Sequence, residues 1–204
     1  VDADGMTFRV REQGPENAPV IVLIHGFSYS LESFDAWAEN LASDYRVVRF
    51  DLPGHGLTGP DPQRRYSVEQ TVALTTSLLD ALGHDDVVLA GNSLGGLVAW
   101  RLAAQQPERV SRLILLAPGG FSINGVTEEP VAVPAPVAFF MTSAPQAVIG
   151  AASTGLFGDP TRMPADLPGR VHALMREPGV DQALVERLEV FTLPAPESDL
   201  ARVE

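Results

Sequence analysis

The run Gly91-Asn92-Ser93-Leu94-Gly95-Gly96 sets a hydroxyl between glycines placed two residues to either side. That pattern suits a serine standing exposed on a turn too tight for neighbouring side chains, the G-x-S-x-G nucleophile elbow. Val87-Val88-Leu89-Ala90 before it reads as a buried strand, and Leu94 to Gln105 after it reads as a helix stopped ahead of Pro107. This strand–turn–helix context, with Gly96 for close packing, separates an elbow from an incidental serine. A helix starting at Leu94 aims unpaired N–H groups at the serine, where they favour a developing negative charge. The chemistry implied is attack by Ser93 on a carbonyl, with the backbone N–H of Leu94 as one oxyanion donor.

An oxyanion needs a second donor. His25-Gly26-Phe27 ends the apolar run Val20-Ile21-Val22-Leu23-Ile24, and the Phe27 N–H is the natural candidate. His25 itself reads as a residue that orders the loop by hydrogen bonding. Asp51-Leu52-Pro53-Gly54-His55-Gly56 ends another strand, and Asp51 and His55 read as loop structure, with Asp51 capping backbone groups. His84 falls in a polar loop and reads as surface. His172 falls in a later helix, where a substrate contact is conceivable.

All these residues sit where strands end. Residues 6–14 alternate loosely, Val20 to Ile24 is an unbroken apolar run, and Arg46 to Phe50 and Arg112 to Ala117 are further strands. Between them Leu31 to Ala42 and Ser67 to Leu82 have helical spacing, the second opened by Ser67 as N-cap and closed by Gly83. Such alternation predicts a mostly parallel α/β sheet with flanking helices, binding ligands beyond the carboxyl ends of its strands. From Pro118 the chain turns rich in Pro, Ala and Gly and shows only helical stretches, near 137–154, 164–176 and 181–191. Residues 1–118 are therefore expected to form the α/β core, and 119–204 a helical cap laid over it.

Composition narrows the partners. The chain has 204 residues, with 14 basic against 26 acidic side chains and a net charge of −12. That excess repels phosphate backbones and anionic lipid, so neither nucleic acid nor a membrane is expected as partner. The absence of cysteine excludes disulfides, thiolate nucleophiles and thiolate metal sites. No apolar run is long enough to span a bilayer and no signal peptide opens the chain, so the expected location is cytoplasmic. The chain begins with Val, however, which leaves room for a lost leader.

The strand–His25-Gly26-Phe27 element, the Asp51 to Gly56 turn and the Gly91 to Gly96 elbow together resemble the α/β-hydrolase superfamily, in its cap-bearing, serine-nucleophile branch. The resemblance is close over residues 6 to about 118 and holds only in kind for the cap. It implies Ser93 as nucleophile, Phe27 and Leu94 as oxyanion-hole donors, and no metal or organic cofactor. Haloalkane dehalogenases and epoxide hydrolases look similar but use an aspartate nucleophile. A serine leaves esterases, lipases, carbon–carbon bond hydrolases, lactonases and perhydrolase-like enzymes.

The family carries its triad acid and then its histidine on strands that follow the cap. No position in residues 119–204 matches either, so the triad acid and His are not present in this chain and it reads as incomplete at its C-terminal end. Asp51, Asp199, His25 and His172 stand in the wrong order to replace them. Phe139, Phe140, Met141, Val148, Ile149, Leu156, Phe157 and Met163 suggest a small apolar acyl or aromatic substrate, although packing of cap on core explains much of that list. The reading is a serine hydrolase cleaving an ester, related acyl or C–C bond through an acyl-enzyme. Its alternatives are a hydrolase-fold ligand-binding protein and an inactive fragment; oligomeric state is left open.

Overall fold

The computed structural model describes residues 1–122 and 125–203; Ile123, Asn124 and Glu204, all within the stretch assigned to the cap, lie outside the described residues. A five-stranded sheet organises the rest. Its strands are β3 (Val10–Gln13), β4 (Val20–Ile24), β5 (Arg46–Phe50), β6 (Val87–Asn92) and β7 (Val110–Leu116), in the spatial order β3-β5-β4-β6-β7. β3 runs antiparallel to β5, and the other pairs are parallel. A short hairpin, β1 (Asp2–Ala3) with β2 (Met6–Thr7), precedes it.

The expected strand over 6–14 is therefore divided between two sheets. Phe8 is buried and its N–H donates to Val1 O, while the Arg9 N–H turns away to Thr58 Oγ1. Phe8 thus extends the pairing of β1 with β2 through its exchange with Val1, Arg9 O accepts from Asp51 N–H in line with β3 and β5, and the chain passes from one sheet to the other between Phe8 and Arg9.

Alternate strand residues divide the core between the two faces, as a period of two requires. Val22, Ile24, Val48, Phe50 and Leu89 pack with α2 (Val68–Leu82) and α3 (Leu94–Gln105). Ile21, Leu23, Val47, Val88 and Ala90 pack on the other face with Phe34 and with Ala38 of α1 (Asp35–Leu41). The expected helix 31–42 is thus a 3-10 turn at Leu31–Phe34 followed by α1. α2 has the predicted ends: Ser67 and Gln70 form a reciprocal capping box, and Gly83 closes the helix at φ 73°.

Strand order fixes where chemistry can sit. From β4 the chain crosses to β5 on one side, then returns past β4 to β6 on the other, so direction reverses between β4 and β6. The crevice at such a reversal is where open α/β sheets bind ligands. His25-Gly26-Phe27 leaves β4 there, and Ser93 leaves β6 beside it.

Among the described residues no further strand follows β7. The chain continues as α4 (Ala135–Ser143), α5 (Gln146–Thr154), α6 (Leu167–Met175), α7 (Val180–Glu189) and the short α8 (Glu197–Leu200). The stretch expected as one helix over 137–154 is two, bent by 115° at Ala144-Pro145. Pro145 lacks an N–H and its ring blocks the preceding turn, which ends α4. Met141, Ile149, Leu167, Val171, Met175, Val180 and Leu184 give these helices an apolar cluster of their own, against which Phe27 and Tyr29 also pack. Among the described residues no single helix is long and apolar enough to cross a membrane.

Ser67→Ala removes the Oγ that accepts from Gln70 N–H and leaves the reciprocal bond from the residue 67 N–H to Gln70 Oε1. The expected loss is about 1 kcal/mol of stability, read as a lower urea midpoint at unchanged slope.

Candidate active site

Ser93 lies between β6 and α3 with φ 51° and ψ −114°, a region that costs a non-glycine residue on the order of 1–3 kcal/mol. Surrounding backbone holds it there. Its N–H donates to Leu116 O at 3.1 Å, and its carbonyl accepts from Gly119 N–H at 2.9 Å and Leu97 N–H at 3.0 Å. The Asn92 side chain adds a bond to Leu116 O at 3.0 Å. Ser93 is exposed while Gly91, Leu94, Gly95 and Gly96 are buried. Among the described residues its hydroxyl has no hydrogen-bond partner.

Close approach dictates the glycines of the elbow. A Cβ on Gly95 would lie 2.1 Å from Ile24 O and 2.5 Å from His25 O, and one on Gly91 would lie 2.2 Å from Gly95 O. At Gly96 it would meet Pro118 Cβ at 2.7 Å. The end of β4, the elbow and the end of β7 are therefore pressed together at backbone contact.

That contact sets Gly26, the residue before Phe27, against Ser93. A Cβ on Gly26 would lie 3.3 Å from Ser93 Cβ and 2.9 Å from Asn92 Oδ1. Leu94 is the first residue of α3, so its N–H has no acceptor within the helix. Gly26-Phe27 and Ser93-Leu94 are thus brought to one place, with the α3 N-terminus behind the serine.

His25 is fully buried, and both ring nitrogens are engaged. Nε2 accepts from Leu52 N–H at 2.9 Å, which places the proton on Nδ1, and Nδ1–H donates to Gly26 O at 2.7 Å. Burial lowers its pKa against the pull of Asp51, and the ring stays neutral. Asp51, also fully buried, accepts from Leu31 N–H at 2.7 Å, Leu57 N–H at 2.9 Å and Arg9 Nη1 at 3.2 Å. His55 donates from Nδ1 to Pro53 O at 3.0 Å; burial first, then Arg187 and His25, pushes its pKa well down. Its Nε2 is buried without a partner among the described residues. All three side chains therefore brace the loops around the crevice.

The remaining candidates lie apart from this group. His84 Nε2 is 3.2 Å from Glu12 Oε2, and His172 is half-buried on α6. Asp199 pairs with Arg101 at 2.5 Å. Of the apolar residues between 139 and 163, Met141 and Ile149 are buried in the helical cluster, whereas Phe139, Val148 and Leu156 are exposed.

One residue escaped the sequence reading. Arg187 of α7 is fully buried; Nη1 donates to Tyr66 O at 3.0 Å and Thr71 Oγ1 at 2.9 Å, and Nη2 donates to Pro53 O at 2.8 Å. Burial pushes its pKa down to about 10, so it remains a cation at neutral pH. Its signal was its place at helical spacing from Val180, Ala183 and Leu184, on the buried face of α7.

The sequence profile of the alpha/beta hydrolase fold matches residues 19–203. The chain belongs to that family. It is 34% identical over 113 residues to Epoxide hydrolase 4 of Mus musculus, covering 55% of this chain and 32% of that protein. Among solved structures, the enol-lactonase of Burkholderia xenovorans LB400 superposes at a TM-score of 0.79 with 20% identity, over 99% of this chain and 76% of the other. A meta-cleavage product hydrolase of Pseudomonas fluorescens IP01 gives 0.78 with 21% identity, over 97% of this chain and 73% of the other. At those identities the structures show the fold. The chain spans between 31% and 47% of the length of the first curated relatives it matches.

Two outcomes test this alpha/beta hydrolase elbow and its loops. Gly95→Ala drives a methyl into the Ile24 and His25 carbonyls, and the expected cost is about 3 kcal/mol or more; Gly59→Ala, with no atom within 4 Å of its Cβ but φ 71°, costs about 1 kcal/mol. Urea unfolding compares the two. Acid should also destabilise the fold. Unfolded histidines take up protons near pH 6.5 while the buried, depressed rings of His25 and His55 do not, so protons favour the unfolded chain. Stability is retained above that pH and falls below it by up to about 1.4 kcal/mol per pH unit for each ring. His25→Asn is expected to remove one ring's share, so that its urea midpoint falls less between pH 7 and 5 than that of the unsubstituted protein.

Proposed function

We propose that the protein is a hydrolase in which Ser93 attacks an acyl carbonyl and forms an acyl-enzyme. The observation that carries this reading is the exposed Ser93, held at φ 51° on the N-terminus of α3 with Gly26 against its side chain. A serine hydroxyl kept in an unfavourable conformation, and not turned inward to a partner, is arranged to reach something outside the chain.

In this mechanism the Ser93 oxygen bonds to the carbonyl carbon while its proton passes to a general base. The Phe27 and Leu94 N–H groups take the charge on the former carbonyl oxygen. Collapse expels the leaving group with a proton, as an alcohol from an ester or as a carbon acid from an activated C–C bond. Water then releases the acid and restores the serine. His25 has both ring nitrogens bonded, and His55 is fully buried with its pKa pushed well down, so the base is assigned to neither.

Two features support the ester or C–C class. Position 93 is a hydroxyl, whereas the epoxide hydrolase branch resembled in sequence opens its substrate with a carboxylate. The names of the structural neighbours, an enol-lactonase and a meta-cleavage product hydrolase, belong to the same two bond classes. Residues 119–204 are proposed as a cap over this crevice. Exposed Phe121 and Phe139, with half-buried Phe140 and Phe157, favour a small apolar acyl or aromatic substrate.

A fluorophosphonate probe should label the full-length protein at Ser93, and Ser93→Ala should abolish both labelling and hydrolysis of p-nitrophenyl esters. Equal labelling of the alanine variant sinks the assignment. Labelling without turnover of any ester or ring-cleavage product would favour a ligand-binding role.

A further inference from the structure

The Gly26–Phe27 peptide is a rigid plane, with the Gly26 carbonyl and the Phe27 N–H pointing in opposite directions. Aiming the N–H therefore means fixing that plane. Gly26, without a Cβ, supplies little stiffness of its own. Two groups hold the carbonyl edge: His25 Nδ1–H at 2.7 Å and Tyr29 N–H at 3.3 Å. The other end of the plane is the Phe27 Cα, and what holds it is the Phe27 ring.

That ring stands edge-on to His55, with centroids 5.6 Å apart and planes at 83°. The same His55 ring lies 5.3 Å from the His25 ring at 62°. One buried imidazole thus backs both fixings of the plane. His55 is itself fixed by donating to Pro53 O, and that carbonyl also accepts from Arg187 Nη2 of α7. Gly54 lies against the same helix, where an added Cβ would be 3.2 Å from Ala183 Cβ. The unpartnered Nε2 indicates that the ring, more than its hydrogen-bonding capacity, is what this place requires.

We infer that His55 is a positioning residue for the Phe27 oxyanion donor, acting as an aromatic wall that α7 holds in place through Arg187 and Pro53. This rests on the reading of Ser93 as nucleophile. His55 takes no part in proton transfer, so an apolar ring should replace it.

The test uses the full-length protein, p-nitrophenyl acetate as substrate and phenylboronic acid as a probe whose tetrahedral adduct on Ser93 carries its charge into the oxyanion site. For His55→Ala the expected result is a loss in kcat of about 10- to 100-fold with KM held within about threefold, and a matching rise in the phenylboronic acid Ki. His55→Phe should recover most of both. Where the alanine variant fails to fold, His55→Leu, which fills the volume without a ring, is expected to show the same losses. Arg64→Gln, which breaks an exposed pair between the 61–66 loop and Glu186 of α7, should leave kcat and Ki unchanged. A ringless variant with native kcat overturns the inference, as does a loss confined to KM, a phenylalanine variant no better than alanine, or an equal loss in Arg64→Gln. Failure of the underlying reading looks different: the unsubstituted protein would then be neither labelled by fluorophosphonate nor inhibited by phenylboronic acid.

Discussion

Backbone crowding around the elbow governs this structure. The end of β4, the turn after β6 and the residues following β7 approach until a methyl group has no room at Gly91, Gly95 or Gly96. Side chains normally keep neighbouring segments apart, and their removal lets carbonyls and amides of three segments meet. The strained Ser93 is paid for by that convergence, through its bonds to Leu116, Gly119 and Leu97. The same crowding makes serine exposure, the placement of Gly26 and the aim of the α3 N-terminus parts of a single arrangement. None can shift alone.

The parallel sheet supplies the other half of the arrangement. Because β5 and β6 lie on opposite sides of β4, the loops leaving β4 and β6 are not drawn across one another, and the space between them stays open. Three polar side chains then do the work a core cannot do there. His25, Asp51 and His55 are buried beneath the crevice, and between them they satisfy backbone groups of Leu31, Leu52, Leu57, Gly26 and Pro53. Buried polar groups of this kind are costly unless bonded, so their partners are closely specified.

Much of this was legible in the sequence wherever local chemistry decides local structure. The bounds of α2 and α3 follow from Ser67, Gly83 and Pro107, and the elbow follows from its glycines, because each signal acts within a few residues. What was hidden depends on tertiary reach. The strand expected over 6–14 is divided because its first residues pair with 1–3 and its later ones with β5, and the bend at Pro145 was masked by apolar residues on both sides of it. Arg187 looked like one more charge on an amphipathic helix; only folding shows it spanning from α7 to Pro53, Tyr66 and Thr71.

Asp51 carries a consequence for the order in which this molecule assembles. Its carboxylate gathers an amide 20 residues upstream, a guanidinium 42 residues upstream and an amide 6 residues downstream. The two distant partners arrive only after β3, β4 and β5 have come together, since closing such loops costs entropy that no nearby contact returns. A sheet nucleus can therefore form while the crevice is still unshaped. The shape of the crevice is expected to be a late product of folding, and partial opening of the β3–β5 pair to loosen it before the hydrophobic core gives way.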